Sequence, residues 1–138
     1  MGPSKKHTEN SVAKIIVDVA NQIHKKLGPG LLESAYQTIM VDELKKRGLS
    51  VKSEVLMPIV YDDVVIENGY RADIIVEDLV IIELKSIEKI AYVHKKQLLT
   101  YLKLSNYKLG LLINFGAPLI KYGIRRVVNG LEDNKDNI

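Results

Sequence analysis

The chain has 138 residues, 46% hydrophobic and 27% charged, with no cysteine and a formal net charge of +3. That profile suits one globular domain with a real core, and it excludes a disulfide scaffold or a thiolate zinc site; His7, His24 and His94 are too scattered to suggest a ligand cluster. No apolar run approaches the roughly 18 residues of a membrane span and the polar start is no signal peptide, so the expected setting is a reducing cytoplasm, where a sequence pI near 9.0 permits a nucleic-acid partner without demanding one.

Val12, Ile15, Ile16, Val19, Ala20, Ile23 and Leu27 recur at helical spacing, and the glycines and proline of "LGPG" end that helix. A second helix is predicted from Leu31 to Arg47 through Leu32, Ala35, Tyr36, Ile39, Met40, Val41 and Leu44, closed by the basic residues and glycine of "KKRG". After Gly48 the texture turns β-branched. "SVKSEVLMPIVY", "VVIENGYRADIIV" and "LVIIELKS" read as three strands of an antiparallel meander. "AYVHKKQLLTYLKLS" returns to helical spacing, and "YKLGLLINF" and "PLIKYGIRRVV" read as two further strands. No repeat or linker interrupts the chain, so the order is ααβββαββ in a single α/β domain over 1–138, with 1–10 and 129–138 expected as flexible tails.

The segment "YRADIIVEDLVIIELKS" places Asp73, Glu83 and Lys85 inside runs otherwise made for an interior. Strand alternation puts Glu83 and Lys85 on one face and Ile82 and Leu84 on the other. A two-residue turn at Glu77 and Asp78 would pair residue 76 with 79, and so turn Asp73 to the wrong face; convergence needs an odd-length loop or a bulge. Two carboxylates about 4 Å apart repel by roughly 4 kcal/mol at an effective dielectric near 20, so a positive charge must join them. Lys85 could serve, as a plain salt bridge. A hard divalent cation could serve instead, because Mg²⁺ takes oxygen ligands from one or two carboxylates and keeps waters and open positions.

An apolar strand with an Asp, a step of ten residues, then a strand carrying Glu-x-Lys and running into a helix resembles the PD-(D/E)xK nuclease superfamily. Ala72 stands where that name has proline. Two more segments join the pattern: Gly30, Glu33 and Tyr36 in "GPGLLESAY" fit G-x-x-E-x-x-Y, and Gln97 and Tyr101 in "HKKQLLTY" fit Q-x-x-x-Y. Each helical pair can face one site. Each also has a bland reading, Glu33 as a dipole-favoured acid beside a core tyrosine and Gln97 with Tyr101 as a wet helix edge. With "VIIELKSIEKI" and "GLLINFGAP" in order, the chain is similar to the GxxExxY protein family within that superfamily, from about residue 11 to 128.

The resemblance implies a restriction-endonuclease-like core, a mixed central sheet flanked by helices, with the site at one sheet edge. It implies that Asp73, Glu83 and the Leu84 carbonyl hold Mg²⁺ or Mn²⁺, that Glu33 adds a direct or water-mediated ligand, and that Lys85 orients or helps deprotonate the attacking water. Gln97 and Tyr101 would position the lysine, the water or a phosphate oxygen. Parity gives Arg71 the face of Asp73 and hence a phosphate, and Tyr36, Lys95 and Lys96 complete the expected substrate contacts. Lys25 and Lys26, Lys45 to Arg47, and Arg125 and Arg126 are further candidates, or simply solvated charge. The expected partner is nucleic acid, DNA foremost, with a homodimer or protein partner left open. A catalytically silent binding or accessory domain, and a structural salt-bridge network, are the readings to weigh against a nuclease.

Overall fold

A computed structural model describes residues 6–131, so the expected tails fall partly outside the described residues. Within them, helix α1 (Glu9–Leu27) is already capped at Thr8, whose hydroxyl accepts the Ser11 N–H at 3.1 Å while Ser11 Oγ accepts the Thr8 N–H at 2.9 Å. Helix α2 (Glu33–Lys46) follows, with Leu32 as an N-cap that offers no side-chain bond. Then come β1 (Val51–Tyr61), β2 (Val64–Val76), β3 (Val80–Lys85), α3 (Tyr92–Ser105), β4 (Leu109–Asn114) and β5 (Ile124–Val128).

The expected order ααβββαββ stands, with one refinement. The run from Pro118 to Val128 is not all strand: residues Ile120–Tyr122 form a 3₁₀ turn before β5. Gly123 follows that turn, and there a Cβ would come within 2.3 Å of the Asn114 carbonyl oxygen. The Gly123 carbonyl accepts from Asn114 N–H at 2.7 Å, which brings the chain back against the end of β4.

The five strands lie in the order β1-β2-β3-β4-β5. The first three form the antiparallel meander, β3 and β4 are parallel through the α3 crossover, and β5 returns antiparallel. The sheet is therefore mixed, and helices cover both faces. On one side α1 and α2 bury Ile16, Met40 and Leu44 against Ile74, Ile82, Leu84 and Leu111. On the other, Leu98 and Leu102 of α3 pack on Ile75, Ile81, Leu112 and Val127. Strand β4, covered on both faces, is buried at every position, as a central strand beside a parallel neighbour must be.

Two irregularities decide which side chains share a face. First, β2 pairs with β3 as Ile74 with Ile82, Ile75 with Ile81 and Val76 with Val80, so the connecting loop is three residues, 77 to 79, and not two. Glu77 and Asp78 both take positive φ (54° and 53°) to make that turn. Second, the faces of β1 and β2 exchange at Glu54 and Asp73. Val51, Ile74 and Val76 pack toward α1 and α2, whereas Val55, Met57, Tyr70 and Ala72 pack toward α3 although the numbers keep the same parity. Glu54, between Ser53 paired with Ile74 and Val55 paired with Ala72, sits at φ 50°, so a backbone twist in place of an extra residue turns the ribbon over.

Candidate active site

The odd loop has an immediate result. Continuing the β2–β3 register one step beyond Ile74 and Ile82 sets Asp73 opposite Glu83. The ladder stops there, and Asp73 Oδ2 accepts the Leu84 N–H at 2.8 Å in its place. Glu83 and Lys85 lie on the α3 side with Ile81, as alternation requires. Helix α2 and the loop before it approach from the other side: Gln37 Nε2 of the helix lies 3.4 Å from the Asp73 carbonyl oxygen, and Ser86 Oγ donates to the Leu31 carbonyl of the loop at 2.8 Å.

The electrostatics tie four residues together. Burial pushes the Glu83 carboxyl up to about 7 and the Asp73 charge adds to it, while the Tyr70 hydroxyl, Lys85 and the Asp73 N–H pull the other way. Asp73 is raised by burial, against the Leu84 N–H, Lys85 and Arg71. Glu33 at the start of α2 is raised by burial and by Asp73, and lowered by Lys85. One lysine thus acts on all three carboxyls, and the Asp73 charge raises the other two. The three carboxyls and Lys85 therefore lie close enough to bias one another's ionisation.

A family model described as the PD-(D/E)XK nuclease superfamily matches residues 10–127. The chain belongs to that superfamily. No curated protein and no solved structure matches it.

PD-(D/E)XK nucleases typically use divalent metals. Among the described residues no three His, Cys, Asp or Glu side chains are arranged to hold an ion. The donor chemistry at Asp73 and Glu83 nevertheless fits a hard cation, since Mg²⁺ needs only one or two carboxylates and fills its remaining positions with water. Two crowded acids resisting ionisation are also a place where a cation would relieve the electrostatic cost.

The other sequence-predicted residues divide. Gln97 and Tyr101 do meet, Nε2 to the phenolic oxygen at 3.4 Å, and line a narrow cleft with Glu83, Lys85 and His94. Leu84 buries its side chain completely under α1 and α2 and gives its N–H to Asp73. Tyr36 does not reach this cleft. It is fully buried, stacks on Phe115 with centroids 4.4 Å apart, donates its hydroxyl to the Gly28 carbonyl and accepts the Leu31 N–H at 3.1 Å, so it braces the loop ahead of Glu33. Arg71 lies on the opposite face from Tyr70, as alternation requires, and the flip at Asp73 gives the α3 side to Tyr70 in its place; its guanidinium is 3.8 Å from Glu54 and exposed, though close enough to lower the Asp73 carboxyl. Lys95 is half-buried on α3, and Lys96 lies over the Tyr92 ring at 4.9 Å on the solvent side. Several outlying basic residues are already engaged: Lys46 with Asp42 at 2.9 Å, Arg47 with Asp18 at 2.9 Å and Arg126 with Asn10 at 2.5 Å.

Two neighbours of the site escape the motif reading. Tyr70, nearly buried, stacks on Tyr101 at 3.8 Å and donates its hydroxyl to Glu83 Oε1; burial and the Glu83 charge push its own pKa far above the usual phenol value. Asn114 holds the loop after Lys85. Its Oδ1 accepts from Ile87 N–H and Gly116 N–H, both at 3.0 Å, and its Nδ2 donates to the Ile87 carbonyl at 2.9 Å. Gly116 permits this approach, because a Cβ there would lie 2.2 Å from the Ile87 carbonyl oxygen. Tyr70 carries a legible signal, an aromatic three residues before an embedded acid; Asn114 at a strand end carries none.

Proposed function

We propose that the chain is a metal-dependent nuclease that hydrolyses phosphodiester bonds, with DNA as its substrate and the cytoplasm as its setting. What supports this reading is the three-residue loop of the hairpin, which pairs Ile74 with Ile82 so that the next step of the register would bring Asp73 to Glu83, with Lys85 beside Glu83 in the cleft. Asp73, Glu83 and the Leu84 carbonyl would hold Mg²⁺ or Mn²⁺, and Glu33 would contribute directly or through water. Bound there, the cation would lower the pKa of water and neutralise charge growing on the phosphate, together contributing several kcal/mol to the transition state.

The side chains do the rest. Lys85 orients the attacking water and helps to remove its proton; Gln97 and Tyr101 hold the lysine, the water or a phosphate oxygen along the cleft they share with it. Lys95 and Lys96 supply charge for flanking phosphates, which positions a strand without reading its sequence. The products are phosphate and hydroxyl ends.

A second reading, a catalytically silent nucleic-acid-binding or accessory domain, draws on one observation: Tyr70 and the Leu84 N–H each already occupy one oxygen of an acid. One experiment separates the two. Purified protein is incubated with Mg²⁺ or Mn²⁺ and labelled single- and double-stranded DNA and RNA, beside Lys85→Ala and Asp73→Ala. Cleavage lost in both variants supports the nuclease; equal cleavage in all three proteins overturns it, and binding without cleavage selects the silent domain.

A further inference from the structure

The hairpin of β1 and β2 outruns the core. Pro58 faces a register shift that sets residues 67 to 69 against it, and Gly69 lets Ile59 pack close, since a Cβ there would lie 2.6 Å from that side chain. Past this kink Val60, Tyr61, Val64, Val65 and Ile66, on both faces of the ribbon, are each 48–69% exposed. A bare two-stranded ribbon is marginal in water, and a contiguous exposed apolar surface marks a contact. Charge narrows the partner. From Glu54 to Tyr70 the chain carries Glu54, Asp62, Asp63 and Glu67 and neither Lys nor Arg, which leaves +7 on the remainder of a +3 chain. Such an arm is repelled by nucleic acid and by anionic membranes. Strand addition at the β1 edge is blunted by Pro58, which has no N–H to give, and by the kink at Glu54. A surface complementary to its faces and tip would be basic and apolar.

The chain itself offers that surface. A groove of about 720 Å³ between α1 and the 3₁₀ turn is lined by His24, Lys25, Leu119, Ile120 and Lys121, among others. Leu119 is 54% exposed at its rim. Asp18, the acid in its wall, is held by Arg47 at 2.9 Å. Among the described residues neither Lys25 nor Lys121 meets a carboxylate, and neither Asp62 nor Asp63 meets a cation.

We propose that the arm tip of one copy docks in this groove of a second copy, Asp62 and Asp63 against Lys25 and Lys121, with the tip valines and Tyr61 on Leu119 and Ile120. Reciprocal exchange would close a two-fold dimer. Sedimentation velocity on the full chain, from micromolar to hundreds of micromolar, tests this with Asp62→Lys/Asp63→Lys in the arm and Lys25→Glu/Lys121→Glu in the groove. Wild type should associate, each variant alone should do so at least tenfold more weakly, and an equimolar mixture should recover association because each reversed arm then finds a reversed groove. Circular dichroism and thermal melting check that these exposed changes leave the fold intact, and Tyr61→Ser weakens the contact without altering charge. A wild type monomeric throughout, variants that associate like wild type, or a mixture that fails to recover would each overturn the proposal.

Discussion

Glu83→Gln should make the protein more stable at neutral pH. A carboxyl that titrates at 4.5 in a free chain and at about 7 in the fold costs on the order of 3 kcal/mol to ionise in place. Between those two values the folded chain binds more protons than the unfolded one, so wild-type stability must fall as pH rises from about 4.5 to 7 and level off above. Glutamine keeps an acceptor for the Tyr70 hydroxyl and discards the charge. Expressed as melting temperature, about 3 kcal/mol in a domain of this size is roughly 10 °C. The measurement is the difference in unfolding free energy between variant and wild type, by denaturant titration at half-unit steps from pH 4 to 8.5 without divalent metal. The difference should be near zero at the acid end and grow to its plateau near pH 7.5. A difference that is flat across the range, or that favours wild type at pH 8, would refute the claim that Glu83 is held in an environment hostile to its charge.

Tyr70→Phe keeps the stacking on Tyr101 and removes the donor to Glu83, so it should destabilise by about 1.5–3 kcal/mol at pH 8 and by less at pH 5, read from the same denaturant titrations. Mn²⁺ at about a hundredfold its dissociation constant should stabilise wild type by about 2.7 kcal/mol in thermal shift, and Asp73→Asn should abolish most of that gain. Asn114→Ala leaves the Ile87 N–H and carbonyl and the Gly116 N–H without their partner, and should cost about 2–4 kcal/mol in denaturant unfolding while raising hydrogen exchange at Ile87. Gly116→Ala should be at least as costly, through the clash with Ile87.

Much of the architecture is legible in the residues. Periodicity finds α1 and α2, β-branched runs find the meander, and embedded charges draw attention to the candidate site, because these signals are local. What escapes is set by tertiary context. The flip at Glu54 leaves no trace in composition, yet it decides that Tyr70 and not Arg71 faces the cleft. Tyr36 and Glu33 are three apart on one helix, but Glu33 stays near the surface in reach of Asp73 while Tyr36 is drawn under Phe115. Gly123 and Pro118 signal a break in the last strand, and only packing against the end of β4 turns that break into a 3₁₀ turn.

The three-residue loop between β2 and β3 has a consequence for mutation by length. Deleting one residue from 77 to 79 would leave every motif letter intact and slide Asp73 past Glu83 to the wrong side of the sheet. Motif spelling would survive while the constellation vanished. For chains that share these letters, the step in number from the aspartate to the glutamate, ten in this chain, is therefore a cheap test of whether a hairpin of this type can still assemble the pair: an even step permits direct opposition, and an odd one forbids it unless a bulge restores the phase.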